Sequence, residues 1–469
     1  MFKPIYSLTA LAVAVSAPLA AHAADNKELT EIREQIKLLK DHYESRIQAL
    51  ESRLKETEAK TRTAEAAPEA QKTTAVASAP AQARQAPSGN NTFNPAVSLV
   101  LQGRYANLSQ DPNGFAISGF IPGGEIGPGE RGFSLSETEL TLSANVDDKF
   151  YGQTTFAVTP EDEIEVEEAY IRTSALPAGF SLKAGRFFSG IGYQNEQHAH
   201  AWDFVDAPLA YQAFFGGQFG NDGVQLKWVA PTDLFLELGA EAGNGANFPG
   251  TSRNKNGANS GALTAKLGGD IGSATSWRVG VSGLRTHAEN REHTQTDLAD
   301  NDAVNSFTGK SRIAIADFVL KYAPNGNPLV TNFKLQGEYF RRKETGDLTY
   351  DSNGELTLAG LGAANTDAYR SNQSGWYLQG IYQFMPQWRV GVRYDRLNPG
   401  TVDLASNAAN LDAPGFKPNK STIMFDWNPS EFSIVRLQAA RDRTQADATD
   451  NQIFLQYIMT LGAHGAHKF

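Results

Sequence analysis

The sequence predicts an all-β transmembrane barrel of about 16 antiparallel strands, preceded by an N-terminal α-helical coiled coil. Three observations support this fold class. The chain opens with a secretory signal. Segments of about ten residues then alternate apolar and polar side chains, which is the period of a strand with two different faces. The connections between these segments alternate between short and long, as expected when the two ends of a barrel meet different environments.

Composition excludes several classes of protein. The 469 residues include no Cys, which excludes a disulfide framework, thiolate metal sites and a cysteine nucleophile. The net charge of −10 argues against nucleic acid as a partner, because phosphate binding needs a basic surface. The mean hydropathy of −0.39 is compatible with a barrel, since only alternate residues of its strands face lipid. No nucleophile-elbow, zincin or phosphate-loop motif occurs, so we expect no enzyme.

Residues 1–23 have the pattern of a secretory signal peptide. Lys3 supplies the positive start, and an apolar run extends from Leu8 to Ala21. The run is too short for a membrane helix. Small residues at Ala21 and Ala23 flank His22 and match a cleavage site. The sequence therefore predicts that the mature chain leaves the cytoplasm.

Residues 24–60 predict a periplasmic coiled coil. Apolar residues recur at spacings of three and four, with charged residues on the other faces. The apolar positions are Leu29, Ile32, Ile36, Leu39, Tyr43, Ile47, Leu50 and Leu54. So narrow a seam suits self-association or contact with the cell wall; a single solvated helix is the alternative. Residues 61–92, rich in Ala, Pro, Gln, Thr and Ser, predict a flexible linker before a barrel domain at 93–469.

The barrel domain divides into alternating segments and connections. The predicted strands lie at 96–108, 133–145, 150–159, 165–174, 180–187, 221–230, 233–241, 262–270, 275–286, 311–322, 330–343, 374–384, 387–396, 421–427, 432–441 and 451–461. Long polar connections lie at 109–132, 188–220, 242–261, 287–310, 344–373 and 397–420. An even strand count returns the C-terminus, at Phe469, to the side where the barrel starts. A large periplasmic all-β protein is the alternative.

Several short motifs carry a family resemblance. They are Gly-Arg-Phe at 185–187, Gly-Ile-Gly at 190–192, Trp-Asp-Phe-Val-Asp-Ala-Pro-Leu at 202–209, Gly-Val-Gln-Leu at 223–226 and Glu-Glu-Ala-Tyr-Ile at 167–171. Together they resemble the phosphate-selective porin O/P superfamily, and the added coiled coil is similar to its DcaP-like branch. The resemblance covers roughly 93–469. It implies a homotrimer of sixteen-stranded outer-membrane porins, each with its own pore for passive diffusion, and it does not fix the solute.

The connection at 188–220 is the expected constriction of such a pore. It is unusually aromatic for a solvated loop, which predicts that its rings pack against the barrel wall. Glu196, Asp203 and Asp206 would then give the loop a negative face. On the predicted strand at 165–174, Glu165 and Glu167 alternate with apolar residues, which predicts that both point into the lumen.

Basic residues alternate with apolar residues on the later strands and are predicted to face the opposite side of the lumen. They are Lys334, Arg389, Arg393 and Arg436. Acid on one wall and base on the other would create a transverse field that selects small charged solutes. The acidic net charge favours cations at long range.

Two histidines suggest a second kind of site. His198 and His200 are two residues apart, so on an extended segment both rings point to one face, and Glu196 joins them. Imidazole and carboxylate ligands suit zinc, although a fourth ligand is missing. The alternative is ordinary polar loop residues. At the level of function, the alternatives to a porin are a structural envelope anchor and a zinc-uptake channel.

Overall fold

The computed structural model describes residues 95–462, with gaps at 122, 124–125, 161–162, 252–253 and 414. The predicted signal peptide (1–23), coiled coil (24–60) and linker (61–92) lie outside the described residues, as does Phe469. Among the described residues, no helix has the length and apolar character needed to cross a membrane.

The described chain consists mainly of antiparallel strands. Their bounds are β1 Ala96–Leu108, β2 Gly132–Leu135, β3 Thr138–Asn145, β4 Phe150–Val158, β5 Ile164–Thr173, β6 Phe180–Phe188, β7 Gly220–Val229, β8 Phe235–Gly243, β9 Ser260–Ile271, β10 Thr275–Thr296, β11 Asp302–Tyr322, β12 Asn332–Tyr350, β13 Asn365–Met385, β14 Trp388–Asp403, β15 Asn419–Ser430, β16 Ser433–Arg443 and β17 Asp450–Gly462. Two short helices, α1 (Leu209–Phe215) and α2 (Glu355–Ala359), lie in connections between strands.

The sheet closes into a barrel of sixteen strands. From β3 onward each strand pairs with the next along the chain, and β1 pairs with β17 to close the ring. The short β2 and β3 both pair with the same edge of β1, at Gly103–Ala106 and at Ala96–Val100 respectively. They are therefore two parts of one interrupted strand. The predicted count of sixteen antiparallel strands is confirmed.

The two faces of the barrel differ in chemistry. On β17 the outward side chains of Leu455, Tyr457 and Met459 are 48%, 49% and 45% exposed. The alternate residues Gln452 and Gln456 point inward and are 1% and 4% exposed. An apolar exterior and a polar interior are what a β-barrel in lipid requires. The period-two pattern in the sequence thus reflects lipid on one face and lumen on the other.

Three predicted loops are partly strand. The predicted connection at 287–310 is mostly an extension of β10 to Thr296 and of β11 back to Asp302. The connections predicted at 344–373 and 397–420 are likewise shortened by β12, β13 and β14. The prediction failed because outward residues of the extensions are charged, as at Lys310 and Asp347, so the expected apolar alternation is lost. Inward residues such as Phe307 and Leu348 form a small core that supports the extended hairpins.

Candidate functional site

Residues 189–219 connect β6 to β7 and lie inside the barrel; we call them the inward loop. Its helix α1 is buried along its whole length. The rings of Tyr211, Phe214 and Phe215 lie 5.1, 6.0 and 6.0 Å from that of Phe340 on β12. This packing extends to inward residues of β10 and β11 such as Leu284 and Ile313. The aromatic composition of the loop therefore has the structural role that the sequence predicted, which is to fix the loop against the wall.

A buried carboxylate on the opposite wall holds the middle of the inward loop. Glu338 on β12 accepts hydrogen bonds from the backbone N–H groups of Tyr193 and Gln194, both at 3.1 Å. It also accepts from the hydroxyls of Tyr211 at 3.0 Å and Tyr377 at 2.6 Å. Burial and the adjacent Glu338 carboxylate raise the pKa of Tyr211 well above its ordinary value. Tyr211 thus remains a hydrogen-bond donor at any physiological pH.

The two predicted aspartates of the loop form buried ion pairs with the wall. Asp203 contacts Lys334 and lies 3.3 Å from Arg389. Asp206 lies 2.8 Å from Lys420 and 3.1 Å from Arg393. Burial alone would raise the pKa of Asp206, but Lys420 and Arg393 hold it far below its ordinary range. Both aspartates therefore attach the loop to the wall.

The third predicted carboxylate of the loop is paired in the same way. Glu196 lies 2.5 Å from Lys227 on β7 and 3.1 Å from Lys266 on β9. Burial opposes ionisation of Glu196, but these two lysines hold its pKa well below the ordinary value. The expectation of a negative loop face directed at the pore is corrected, because the three carboxylates are neutralised by lysines and arginines of the wall. It failed because sequence alone does not show which strand a loop residue contacts.

The predicted acidic strand contains an irregularity that changes which residues point inward. In the pairing of β4 with β5, Thr155 lies opposite Glu168 and the next residue, Phe156, lies opposite Val166. Glu167 is therefore the extra residue of a β-bulge, and both Glu167 and Glu168 reach the inward loop. Glu165 pairs with Ala157, which pairs with the inward Glu139, so it lies on the inward face as predicted, exposed beyond the inward loop contacts. The alternation missed Glu168 because a bulge shifts the phase of a strand by one residue.

The two histidines meet carboxylates of the wall rather than Glu196. His198 Nδ1 lies 3.1 Å from a carboxylate oxygen of both Glu139 and Glu167. Its Nε2 lies 3.1 Å from Glu168. The ring of His200 stacks on that of His198, and its Nδ1 lies 2.7 Å from Glu139.

We call His198, His200, Glu139, Glu167 and Glu168 the histidine cluster. Their contacts set its charge and the geometry of its potential ligands. Burial opposes protonation of His198, but the three carboxylates hold its pKa well above the ordinary value. Within the described residues, potential metal-ligand atoms of Glu139, Glu167 and His198 all lie within 4.8 Å of one another. Glu196 is not in this group, so the predicted ligand set of His198, His200 and Glu196 is corrected.

The predicted basic residues all point inward, but they differ in exposure. Arg393 and Arg436 are buried, at 3% and 1% exposed, and they pair with Asp395 and Asp426 at 2.9 and 2.8 Å. They support the wall and the loop. The side chains of Lys334 and Arg389 retain about a fifth of their exposure, at 19% and 21%.

The sequence analysis missed that basic side chains surround most of the lumen. Nine strands each place one inward basic residue near their short-turn end; we call this set the basic ring. Its members are Arg172, Lys183, Lys227, Lys266, Arg278, Lys321, Lys334, Arg389 and Arg436. Six of these cations share five carboxylate partners, which are Glu196, Asp203, Glu237, Asp317 and Asp426. The recurrence of a basic residue near the same end of successive strands was the signal that could have revealed it.

The fold and the site define a porin-like β-barrel with a loop folded into its lumen. No protein-family model matches the chain. It is 33% identical over 352 residues to an uncharacterised protein of Aquifex aeolicus strain VF5, an alignment that covers 72% of this chain and 71% of that protein. The chain belongs to the family of that protein.

Solved structures of outer-membrane proteins resemble the barrel at low identity. The outer-membrane channel DcaP of Acinetobacter baumannii is 14% identical with a TM-score of 0.45, covering 78% of this chain and 97% of its own. The trimer form of OmpT of Vibrio cholerae is 9% identical with a TM-score of 0.48, covering 78% and 99%. An anion-selective porin from Comamonas acidovorans is 10% identical with a TM-score of 0.47, covering 78% and 99%.

Proposed function

We propose that this chain is an outer-membrane porin, related to the phosphate-selective porin O/P superfamily and its DcaP-like branch, through which small anionic solutes diffuse passively. The basic ring is the observation that carries this proposal. Seven of its nine inward cations are partly exposed below the inward loop, whereas Lys266 and Arg436 are buried. Rings of Lys and Arg are the usual means by which a pore selects anions.

The charge balance of the lumen favours anions over the cations expected from composition. Many carboxylates near the inward loop form ion pairs that attach the loop to the wall, as Asp203 and Asp206 do. By contrast, Lys227, Arg278, Lys334 and Arg389 keep side-chain exposures of 20%, 23%, 19% and 21% although each has an ion-pair partner. A partly exposed cation in a narrow, low-dielectric passage acts on a passing solute more strongly than a distant net charge.

The proposed assembly is a homotrimer in the bacterial outer membrane. Residues 24–60 would form a coiled coil in the periplasm, joined to each barrel by the linker at 61–92. The apolar seam of 24–60 and the apolar exterior of the strands support this arrangement. The coiled coil would hold the three barrels together or reach towards the cell wall.

The test is planar-bilayer conductance of the purified chain under a KCl gradient. We expect stepwise openings in threes and a reversal potential of the sign given by chloride preference. The double variant Lys183→Gln with Lys321→Gln should shift the reversal potential towards zero. Lys149, exposed in the turn between β3 and β4, provides the matched control, and Lys149→Gln should leave the potential unchanged. A cation-preferring wild type would refute anion selectivity. Folded protein that never conducts would favour the envelope anchor.

A further inference from the structure

The histidine cluster between the inward loop and β3–β5 has the geometry of a metal site. We propose that it binds one divalent transition-metal cation of the zinc class, with His198 Nδ1 and one carboxylate oxygen each from Glu139 and Glu167 as ligands. These three atoms lie within 4.8 Å of one another. One imidazole nitrogen and two carboxylate oxygens are ligand types that zinc accepts, and water supplies the fourth position.

The neighbours of these ligands are arranged as supports for a metal. The second nitrogen of His198, Nε2, lies 3.1 Å from Glu168, which can accept a hydrogen bond from Nε2–H. This tautomer leaves Nδ1 unprotonated and available to a cation. His200 Nδ1 lies 2.7 Å from the second oxygen of Glu139 and fixes that carboxylate. A histidine ligand held by a carboxylate, and a carboxylate ligand held by a donor, are the usual surroundings of protein-bound zinc.

The charge of the cluster and the local backbone also favour a bound divalent cation. Glu139, Glu167 and Glu168 are 2%, 9% and 9% exposed in their side chains, and their ion-pair partners are His198 and His200. Three carboxylates outnumber the two imidazoles that face them, and a divalent cation offsets the excess negative charge. The β-bulge brings Glu167 and Glu168 to the cluster together; bulges often aim side chains at sites.

The test is isothermal titration of the full-length protein in detergent with ZnCl2, supported by the visible absorption of bound Co²⁺. We expect one Zn²⁺ per chain and at least a tenfold loss of affinity in both His198→Ala and Glu167→Gln. The control His287→Ala, on β10, should bind as the wild type does. Far-ultraviolet circular dichroism confirms that each variant is folded, and Glu167→Gln provides the nearly isosteric change. Equal Zn²⁺ affinity in wild type and His198→Ala would overturn the proposal. Zinc affinity and ion selectivity are measured in separate experiments. Failure of the metal-site proposal can therefore be distinguished from failure of the proposed porin function.

A second inference rests on the outer surface of the extended strands. Arg285 on β10 lies directly opposite Arg312 on β11, and Arg312 lies opposite Lys343 on β12. All three side chains are exposed on the outer face, and Lys310 and Arg341 flank them. Like charges opposite one another in a sheet destabilise it. We infer that this outer basic row binds the phosphate groups of an anionic lipid of the outer leaflet.

The height of the row on the barrel fits a lipid headgroup. On β11 the outward residues from the short-turn end are apolar or aromatic up to Ala314, and the first charge is Arg312. From Tyr322 to Arg312 the chain rises ten residues, so at about 3.3 Å per residue and a tilt of about 45° the row lies roughly 23 Å above the short-turn end. The apolar band of such barrels is about 25 Å tall, which places the row at the membrane surface on the long-loop side.

The experiment measures binding of purified lipid A, which carries two phosphates, to the protein in neutral detergent by native mass spectrometry. The triple variant Arg285→Gln, Arg312→Gln, Lys343→Gln should bind lipid A at least tenfold more weakly than the wild type. Lys149→Gln is the control and should bind normally. Inorganic phosphate at millimolar concentration should fail to displace the lipid; displacement would identify free phosphate as the ligand and refute a lipid site. Equal lipid A binding by the triple variant would also refute it.

Discussion

The hydroxyl of Tyr211, on the inward loop, lies 3.0 Å from both carboxylate oxygens of Glu338, on the far wall of the barrel. This contact joins residues 127 positions apart in the chain. The same carboxylate accepts two backbone N–H groups of the loop. Glu338 therefore holds both the middle of the inward loop and its helix α1 at one position on the wall.

The first prediction concerns Glu338→Gln. The amide keeps the size of the side chain but presents an NH2 group to donors, so several of the four hydrogen bonds are lost. We expect a loss of roughly 2 kcal/mol or more in barrel stability, since hydrogen bonds to charged groups contribute about 1.5–3 kcal/mol each. The measurement is the temperature at which the SDS-resistant folded form converts to the unfolded form on gels. Glu355→Gln, on the exposed start of α2, is the control and should not change this temperature.

The second prediction concerns Gly192, which has φ +64°. A Cβ at this position would lie 2.3 Å from an oxygen of Glu338 and 2.8 Å from the Tyr211 hydroxyl. Gly192→Ala should therefore disrupt the same hydrogen bonds and increase current noise in single-channel records. Gly217→Ala tests backbone strain without a steric clash, because Gly217 has φ +117° and open space around its Cβ position. If both variants gave equal noise, backbone strain rather than the clash would be the cause.

The third prediction is the dependence of the channel on acid. The folded-state pKa of Asp203 and of Asp206 is depressed, so their contribution to stability is present above the unfolded value, about 3.9, and is lost as pH falls through the folded value. The ion pairs of Asp203 and Asp206 should therefore persist down to about pH 4, and their loss should change the conductance only in stronger acid.

The variant Asp206→Asn removes one of these charges at every pH. It leaves Lys420 and Arg393 buried with a carboxylate partner missing, which is costly in a low-dielectric interior. We expect unstable conductance already at pH 7 in bilayer recordings. A conductance of Asp206→Asn as steady as that of the wild type would contradict the assignment of Asp206 as a loop anchor.

The fourth prediction concerns the modular boundary. Deleting residues 25–92 should leave a barrel that folds and conducts, since the described strands begin at Ala96 and close on β17. Single-channel recording and heat-modified gel migration measure the two properties. Failure of the truncated chain to insert or fold would place part of the barrel's folding information before residue 92.

Much of the fold was predictable because strand periodicity is local. A side chain two residues along a strand faces the same side, so the sequence of β17 shows its lipid and lumen faces without reference to any other strand. Sixteen such segments and their connections predicted the strand count. The aromatic residues of the inward loop likewise indicated burial by composition alone.

Tertiary structure decided which charges meet. The sequence predicted a free acidic face made of Glu196, Asp203 and Asp206. In the folded barrel these carboxylates pair with Lys227, Lys334 and Lys420. The bulge at Glu167 added Glu168 to the site, and the charged outer face of β10–β12 concealed the length of those strands. The sequence by itself determined the faces and number of the strands, since these depend on neighbours along the chain. Only the folded barrel decided the ion pairs and the histidine cluster, because residues far apart in sequence meet across a lumen whose register and loop path no local pattern encodes.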